Sequence, residues 1–183
     1  DQILARALTD RHGVFWSLRP EYRSQAETLE TSLGFGTAGV LLCLLELHLI
    51  EPDKSTEELL LKGADWLMAQ LRKRGFQHGF YTGSAGLWYA LDKLEHTLEG
   101  LTPEWRHLIH DQLAPVTQGD TAAGLVSGAG GSLLGTLLVS PEHIMTRAEA
   151  TLFSCLLAGT KLLPQGVFWG FSRSSSAPRV WFA

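Results

Sequence analysis

The stretch Ser32–Leu47, "SLGFGTAGVLLCLLEL", sets two glycines three residues apart, Gly36 and Gly39, at the entrance of an almost unbroken apolar run. The same arrangement returns twice. "GFYTGSAGLWYALDKL" carries Gly83 and Gly86, and "GLVSGAGGSLLGTLLV" carries Gly128 and Gly131, so that successive first glycines stand 47 and then 45 residues apart. A fixed period of that length is the mark of a repeat architecture, and it has room for two helices and their connections per unit.

The segments between these runs are built differently. "STEELLLKGADWLMAQLRKRG" places Ser55 and Glu58 in capping-box positions, spaces Leu60, Ala64, Leu67 and Leu71 along one face, and ends on Arg72, Lys73 and Arg74 before Gly75. "TPEWRHLIHDQL" opens with Thr102 as a cap and Pro103 in the first turn. A third mixed segment begins between Ser140 and Thr146 and runs to about Leu163, and "DQILARAL" reads as a further helix ahead of the first glycine pair. Helices thus alternate between nearly all-apolar and amphipathic. An all-apolar helix must be surrounded and an amphipathic one covers a surface, so the pattern predicts an inner layer wrapped by an outer one. Sustained period-two alternation is absent, which leaves strands a minor part. The expected class is all-α, built of stacked helical hairpins.

Composition narrows the function. With 183 residues, 45% apolar and 19% charged, the chain suits one folded domain rather than a disordered polymer. Its net charge of -4 gives no footprint for nucleic acid or an anionic membrane surface. "AGVLLCLLELHLI" is too short to span a bilayer and contains Glu46 and His48. Cys43 and Cys155 each sit in an apolar stretch, which reads as two buried thiols in a reducing, cytoplasmic setting.

Two readings of the glycines stay open. Lacking a β-carbon, they admit another backbone or a ligand to one helix face. Each helix start also turns amide groups and a positive dipole end toward whatever lies ahead of it, and several such starts around one cavity would favour a developing negative charge. The residues that would line such a cavity or bind a peptide are Gly36, Gly39, Thr82, Gly83, Ser84, Gly86, Ser127, Gly128 and Gly131, with Thr37 offering a further hydroxyl. His78, just before the second pair, would reach the cavity or else lie in a surface loop. His107 and His110 have a spacing that can serve a metal, but no third ligand stands near them in sequence.

The threefold pattern resembles the lanthionine synthetase C-like family, from about Gly13 to Ala183, with "GVFW" and "GFSRSSSAPRVWFA" similar to segments that flank its repeats. The resemblance implies an α/α toroid whose inner helices begin with GxxG motifs, and an activity on a precursor peptide: addition of cysteine thiols to dehydrated serine or threonine. It looks most like the cyclase domain of kinase-and-cyclase lanthipeptide synthetases. It also implies that residues 1–183 form the amino-terminal part of such a domain, with 164–183 an irregular connection toward a fourth glycine motif. The remaining half of the barrel, fused kinase or lyase domains, or a homo-oligomer would then cover its open sides.

In family members that form thioether rings a zinc ion held by two cysteines and a histidine activates the thiol. Those ligands belong to the later half, so the expectation for this chain is no cofactor, no metal ligand and no catalytic residue of its own. An aspartate commonly stands four residues before the first glycine of the third motif; Gly124 occupies that place here, with Asp120 four residues further back. Two functions follow as alternatives. One is part of a peptide cyclase; the other is a non-catalytic helical scaffold that binds a peptide or partner domain. A carbohydrate-active helical barrel would need paired carboxylates facing a cavity, and the acids here cluster in "EPDKSTEE" and on the outer helices.

Overall fold

The computed structural model describes residues 3–17, 30–73, 77–102, 104–108, 124–139, 150, 153–154, 160–163 and 166–169. Among the described residues four helices carry the fold: α1 (Thr37–Ile50), α2 (Lys54–Lys73), α3 (Ser84–Thr97) and α4 (Ala129–Val139). The three glycine-led runs are α1, α3 and α4. They stand side by side, α1 against α3 and α3 against α4, while α2 backs both α1 and α3. The mostly helical class is therefore as expected, and amphipathic α2 covers α1 and α3, but α1 and α4 are not surrounded: each leaves apolar side chains exposed on one side.

On α2 the anticipated apolar face is the buried one: Leu60, Ala64, Leu67 and Leu71 are all at most 3% exposed. Lys62, Asp65, Arg72 and Lys73 face water. The helices meet at close range, α2 on α1 and α4 on α3, because small residues sit at the crossings. A β-carbon on Gly63 would lie 2.4 Å from Leu41 Cδ2, and one on Gly135 would lie 2.4 Å from the Ala85 methyl. Trp88 on α3 and Trp105, in the helical turn 105–108, are fully buried.

The cap of α2 differs from the expected box at Ser55 and Glu58. Asp53 does that work, accepting the Thr56 amide at 2.9 Å and the hydroxyls of Ser55 and Thr56. These bonds, led by Ser55, hold its carboxyl down to about 2.

The amino-terminal helix expected from "DQILARAL" is a correction. Among the described residues of that segment only Leu4–Arg6 coil, as a 3-10 turn, and the chain then forms a hairpin of β1 (Leu8–Asp10) and β2 (Gly13–Phe15). The reason is local. Asp10 Oδ1 accepts the His12 amide at 2.7 Å, and Gly13 turns the chain at φ 145°, a conformation other residues rarely adopt. Gly13 also touches α2, where a β-carbon would come 2.1 Å from the Lys62 carbonyl oxygen. Phe15 stacks on Trp66 at 4.8 Å, and Trp66 Nε1 donates to Asp10 at 3.1 Å.

Near the carboxyl end β3 (Thr160–Leu163) pairs antiparallel with β4 (Gly166–Trp169). Residues 160–163, assigned to the end of an outer helix, and 166–169, assigned to an irregular connection, are thus strands. Cys43 is also corrected: it is exposed, not buried. The buried face of α1 is Thr37, Ala38, Leu41, Leu44 and Leu45, and Cys43 lies opposite it with Leu47 and Ile50. Cys155 and Pro103, expected in the first turn after the Thr102 cap, lie outside the described residues. No described helix is long and apolar enough to cross a membrane.

Candidate functional site

The starts of α1, α3 and α4 are laced together by their backbones. Gly34 N–H donates to the Tyr81 carbonyl at 2.8 Å, and Tyr81 N–H donates to the Val126 carbonyl at 3.2 Å. Gly34, Tyr81 and Val126 hold the same place in their repeats, two residues before Gly36, Gly83 and Gly128. Further bonds run from Phe80 N–H to Leu125 O and from Thr82 N–H to Val126 O. One rung therefore recurs, always with the donor in the earlier repeat and the acceptor in the later one.

Within each loop the chain folds back on its own helix. A β-carbon on Gly39, Gly86 or Gly131 would fall 2.1, 2.0 or 2.0 Å from the carbonyl oxygen of Leu33, Phe80 or Leu125 respectively, in each case six residues earlier. No side chain fits there. The first glycines are extended at α1 and α3, with φ -128° at Gly36 and -107° at Gly83, so backbone chirality does not demand them. At Gly83 the demand is again space, since Gln77 and His78 carbonyl oxygens would stand 2.5 Å from a β-carbon. Of the two readings open in the sequence, close approach of the chain's own backbone accounts for Gly39, Gly83, Gly86 and Gly131.

The anion-binding reading loses two of its donors. The first amides of α1 and α3, on Thr37 and Ser84, donate to the carbonyls of Glu30 and Gln77, each seven residues back, at 2.7 and 2.9 Å. The hydroxyls are engaged in similar ways. Thr37 Oγ1 accepts the Trp16 amide at 3.1 Å and so faces the amino-terminal hairpin, Thr82 Oγ1 donates to Val126 O at 3.0 Å, and Ser84 Oγ accepts the Gln77 amide at 3.1 Å. Ser127 is exposed, while Gly36, Gly83, Gly86, Gly128 and Gly131 are buried and Gly39 is half-buried.

His78 is half-buried between the second and third repeats. Its Nδ1 lies 3.2 Å from Ser132 Oγ, which also accepts the Gly79 amide at 3.1 Å. Burial pushes its pKa below the ordinary histidine value, so the ring is neutral at pH 7. From the loop ahead of α3 it joins two repeats.

The large side chains that reach solvent at this rim, beside the exposed Ser127, are apolar or aromatic. Phe35, Tyr81, Leu125 and Val126 are between 42% and 58% exposed, and the loops 32–39, 79–86 and 124–131 contain no charged residue. None of these exposed side chains was singled out by pattern, because Gly34, Tyr81 and Val126 share only a backbone role. At the opposite end of the inner helices a polar knot was also missed. Arg106 donates to buried Asp92 at 2.8 Å, to Glu95 at 3.2 Å and to the last carbonyl of α4, Val139, at 3.4 Å, and lies over the Trp105 ring.

Among the described residues no three His, Cys, Asp or Glu side chains come together in a way that could hold a metal. Cys43 stands alone on α1 and His107 is exposed, while Asp120, His110 and Cys155 lie outside the described residues. The described donor set therefore does not fit the zinc that the resemblance implies. Gly124, in the place of the family aspartate, offers only its carbonyl, which accepts the Gly131 amide at 3.3 Å.

No curated protein sequence matches the chain. A family model does: residues 27–160, a span that holds all three glycine motifs and their helices, match the description "Lanthionine synthetase C-like protein". The laced helix starts and that match together make this chain a member of the lanthionine synthetase C-like family.

Proposed function

We propose that the chain acts on a ribosomal precursor peptide as part of a lanthipeptide cyclase domain, promoting addition of cysteine thiols to dehydrated serine or threonine. The observation that carries this reading is the apolar, uncharged rim formed where the three glycine-led helices are laced together. A peptide held there by apolar side chains and backbone would have its thiol and dehydro-residue brought within reach of one another. Orientation of that kind accelerates ring closure without a side chain of this chain entering the chemistry. Zinc, where a complete domain binds it, would supply thiol activation; its ligands would have to come from residues other than those described. The chain is then the amino-terminal part of the domain, working in the cytoplasm beside kinase or lyase domains that dehydrate the peptide. Gly36, Gly39, Thr82, Gly83, Ser84, Gly86, Ser127, Gly128 and Gly131, with His78, build and hold the rim rather than touch reacting atoms.

A second reading is a scaffold that binds the peptide and does no chemistry, favoured by Gly124 in place of an aspartate and by the donor set just described. One experiment separates them. A synthetic peptide with one dehydroalanine and one cysteine is titrated for binding by fluorescence anisotropy, and thiol consumption is followed by alkylation and mass spectrometry. Binding with faster thiol loss supports the cyclase, binding alone supports the scaffold, and neither result would sink both.

A further inference from the structure

Aligning the three helix starts exposes one place where the repeat is broken. Phe35, Thr82 and Ser127 each stand one residue before the first glycine of their motif. Two of them are small and carry a hydroxyl, and the Thr82 hydroxyl serves the fold by donating to Val126 O at 3.0 Å. The third is a phenyl ring, 58% exposed. Its loop is held without it: Ser32 Oγ accepts the Phe35 amide at 3.2 Å, Ser32 O accepts the Gly36 amide at 3.0 Å, and Gly34 N–H reaches Tyr81 O at 2.8 Å. The ring thus adds nothing to the hydrogen bonding of the turn that presents it.

A second aromatic side chain stands beside it. Gly34 lies against Tyr81, where a β-carbon would come 3.4 Å from Tyr81 Cβ, so the two loops put Phe35 and Tyr81 at adjoining places on the rim. The Tyr81 ring is 42% exposed yet rests edge-on to Phe80 at 5.5 Å, and Phe80 is backed in turn by Tyr89 at 5.6 Å. No charged residue occurs in the loops 32–39, 79–86 and 124–131, although 19% of the chain is charged. The rim is also set apart from the sides of the helices. α3 stands beside α1 and α4 beside α3, so a further glycine-led helix next to α4 would lengthen this row sideways rather than cover the helix starts.

We infer that Phe35 and Tyr81 form a seat that determines which peptides the rim accepts: the peptide side chain seated there is uncharged and apolar, leucine or phenylalanine in kind, and a lysine or aspartate is refused. This rests on the peptide-binding reading given above and adds a substrate class to it. Two exposed rings in a charge-free setting match such a side chain, because apolar area leaves water on both partners. A charged group placed there would lose hydration and find no counter-charge in the three loops. The seat binds and orients the peptide and takes no part in bond making.

The test uses synthetic peptides that each carry one dehydroalanine and one cysteine and differ at a single residue between them, leucine, lysine or aspartate, titrated by fluorescence anisotropy. The chain should bind the leucine peptide roughly tenfold more tightly than either charged one. Phe35→Ser, which places there the residue type of the third repeat, and Tyr81→Ser should each bring the affinities to within about threefold of one another, while Phe35→Leu keeps the preference. Phe35→Asp should turn the preference toward the lysine peptide, a gain that loss of folding cannot imitate. Equal binding of all the peptides by the wild-type chain, or a preference unchanged in both Phe35→Ser and Phe35→Asp, would overturn the inference and leave the peptide-binding reading standing. Binding of none of them would overturn both. Self-association of the wild-type chain in light scattering, abolished by Phe35→Ser, would give the seat to a second copy and likewise overturn the inference.

Discussion

Replacing Gly131 by alanine tests whether the glycines are there for backbone contact. In the middle of an ordinary helix this change stabilises by about 1 kcal/mol. Here the new methyl would arrive 2.0 Å from Leu125 O and 2.3 Å from Phe80 N, between the donor and acceptor of the bond that ties the second repeat to the third. Overpacking a tight site costs about 1–3 kcal/mol, and the broken backbone bond adds about 1. After the helix gain is subtracted the expected net loss is about 1–3 kcal/mol. Gly39→Ala meets a single loop carbonyl, Leu33 O at 2.1 Å, and should lose less, by about one hydrogen bond. Urea denaturation followed by circular dichroism would show a lower midpoint at unchanged slope for both. Equal or greater stability of Gly131→Ala would refute the reasoning, because it would mean that the loop can move away at no cost.

Arg106→Ala should destabilise by about 2–4 kcal/mol, since it leaves buried Asp92 without its guanidinium; thermal melts of Arg106→Ala against Asp92→Asn would check this, the asparagine being the milder change. Asp53 has a folded pKa of about 2 against 3.8 ordinarily, so its stabilising bonds are fully present above pH 4 and are lost as pH falls from about 4 to 2. The difference in melting temperature between wild type and Asp53→Ala should accordingly shrink over that window. His78 titrates below its ordinary 6.5 when folded, so the unfolded chain takes up its proton first and stability falls as pH drops through 6.5; His78→Gln should flatten that slope, and a ring titrating above 6.5 by NMR would contradict it.

The layering was legible because it depends on composition along whole helices. Leu60, Ala64, Leu67 and Leu71 could be assigned to the core from spacing alone. Caps and ends were less so. Asp53 and Ser55 are both competent to start a helix, and only the bond from Thr56 chooses between them. "DQILARAL" has helical spacing at Ile3, Leu4, Ala7 and Leu8, yet Gly13 and Asp10 beyond it impose a turn, and a pairing across that turn outweighs weak local preference. Cys43 was misplaced because an apolar run reveals how much surface wants cover, not which side receives it. The rung from Gly34 to Tyr81 to Val126 left no trace in residue type, since it is made by main-chain atoms.

The amino-terminal hairpin lies outside residues 27–160, the span that carries the family likeness, yet it is fastened to the first repeat through Trp16 and Thr37 and to α2 through Gly13, Phe15 and Asp10. A polypeptide trimmed to the recognisable boundary would strip Trp66 of its stacking ring and its indole acceptor, and Thr37 of both its bonds to Trp16. The matched span and the packed unit thus have different borders on the amino-terminal side.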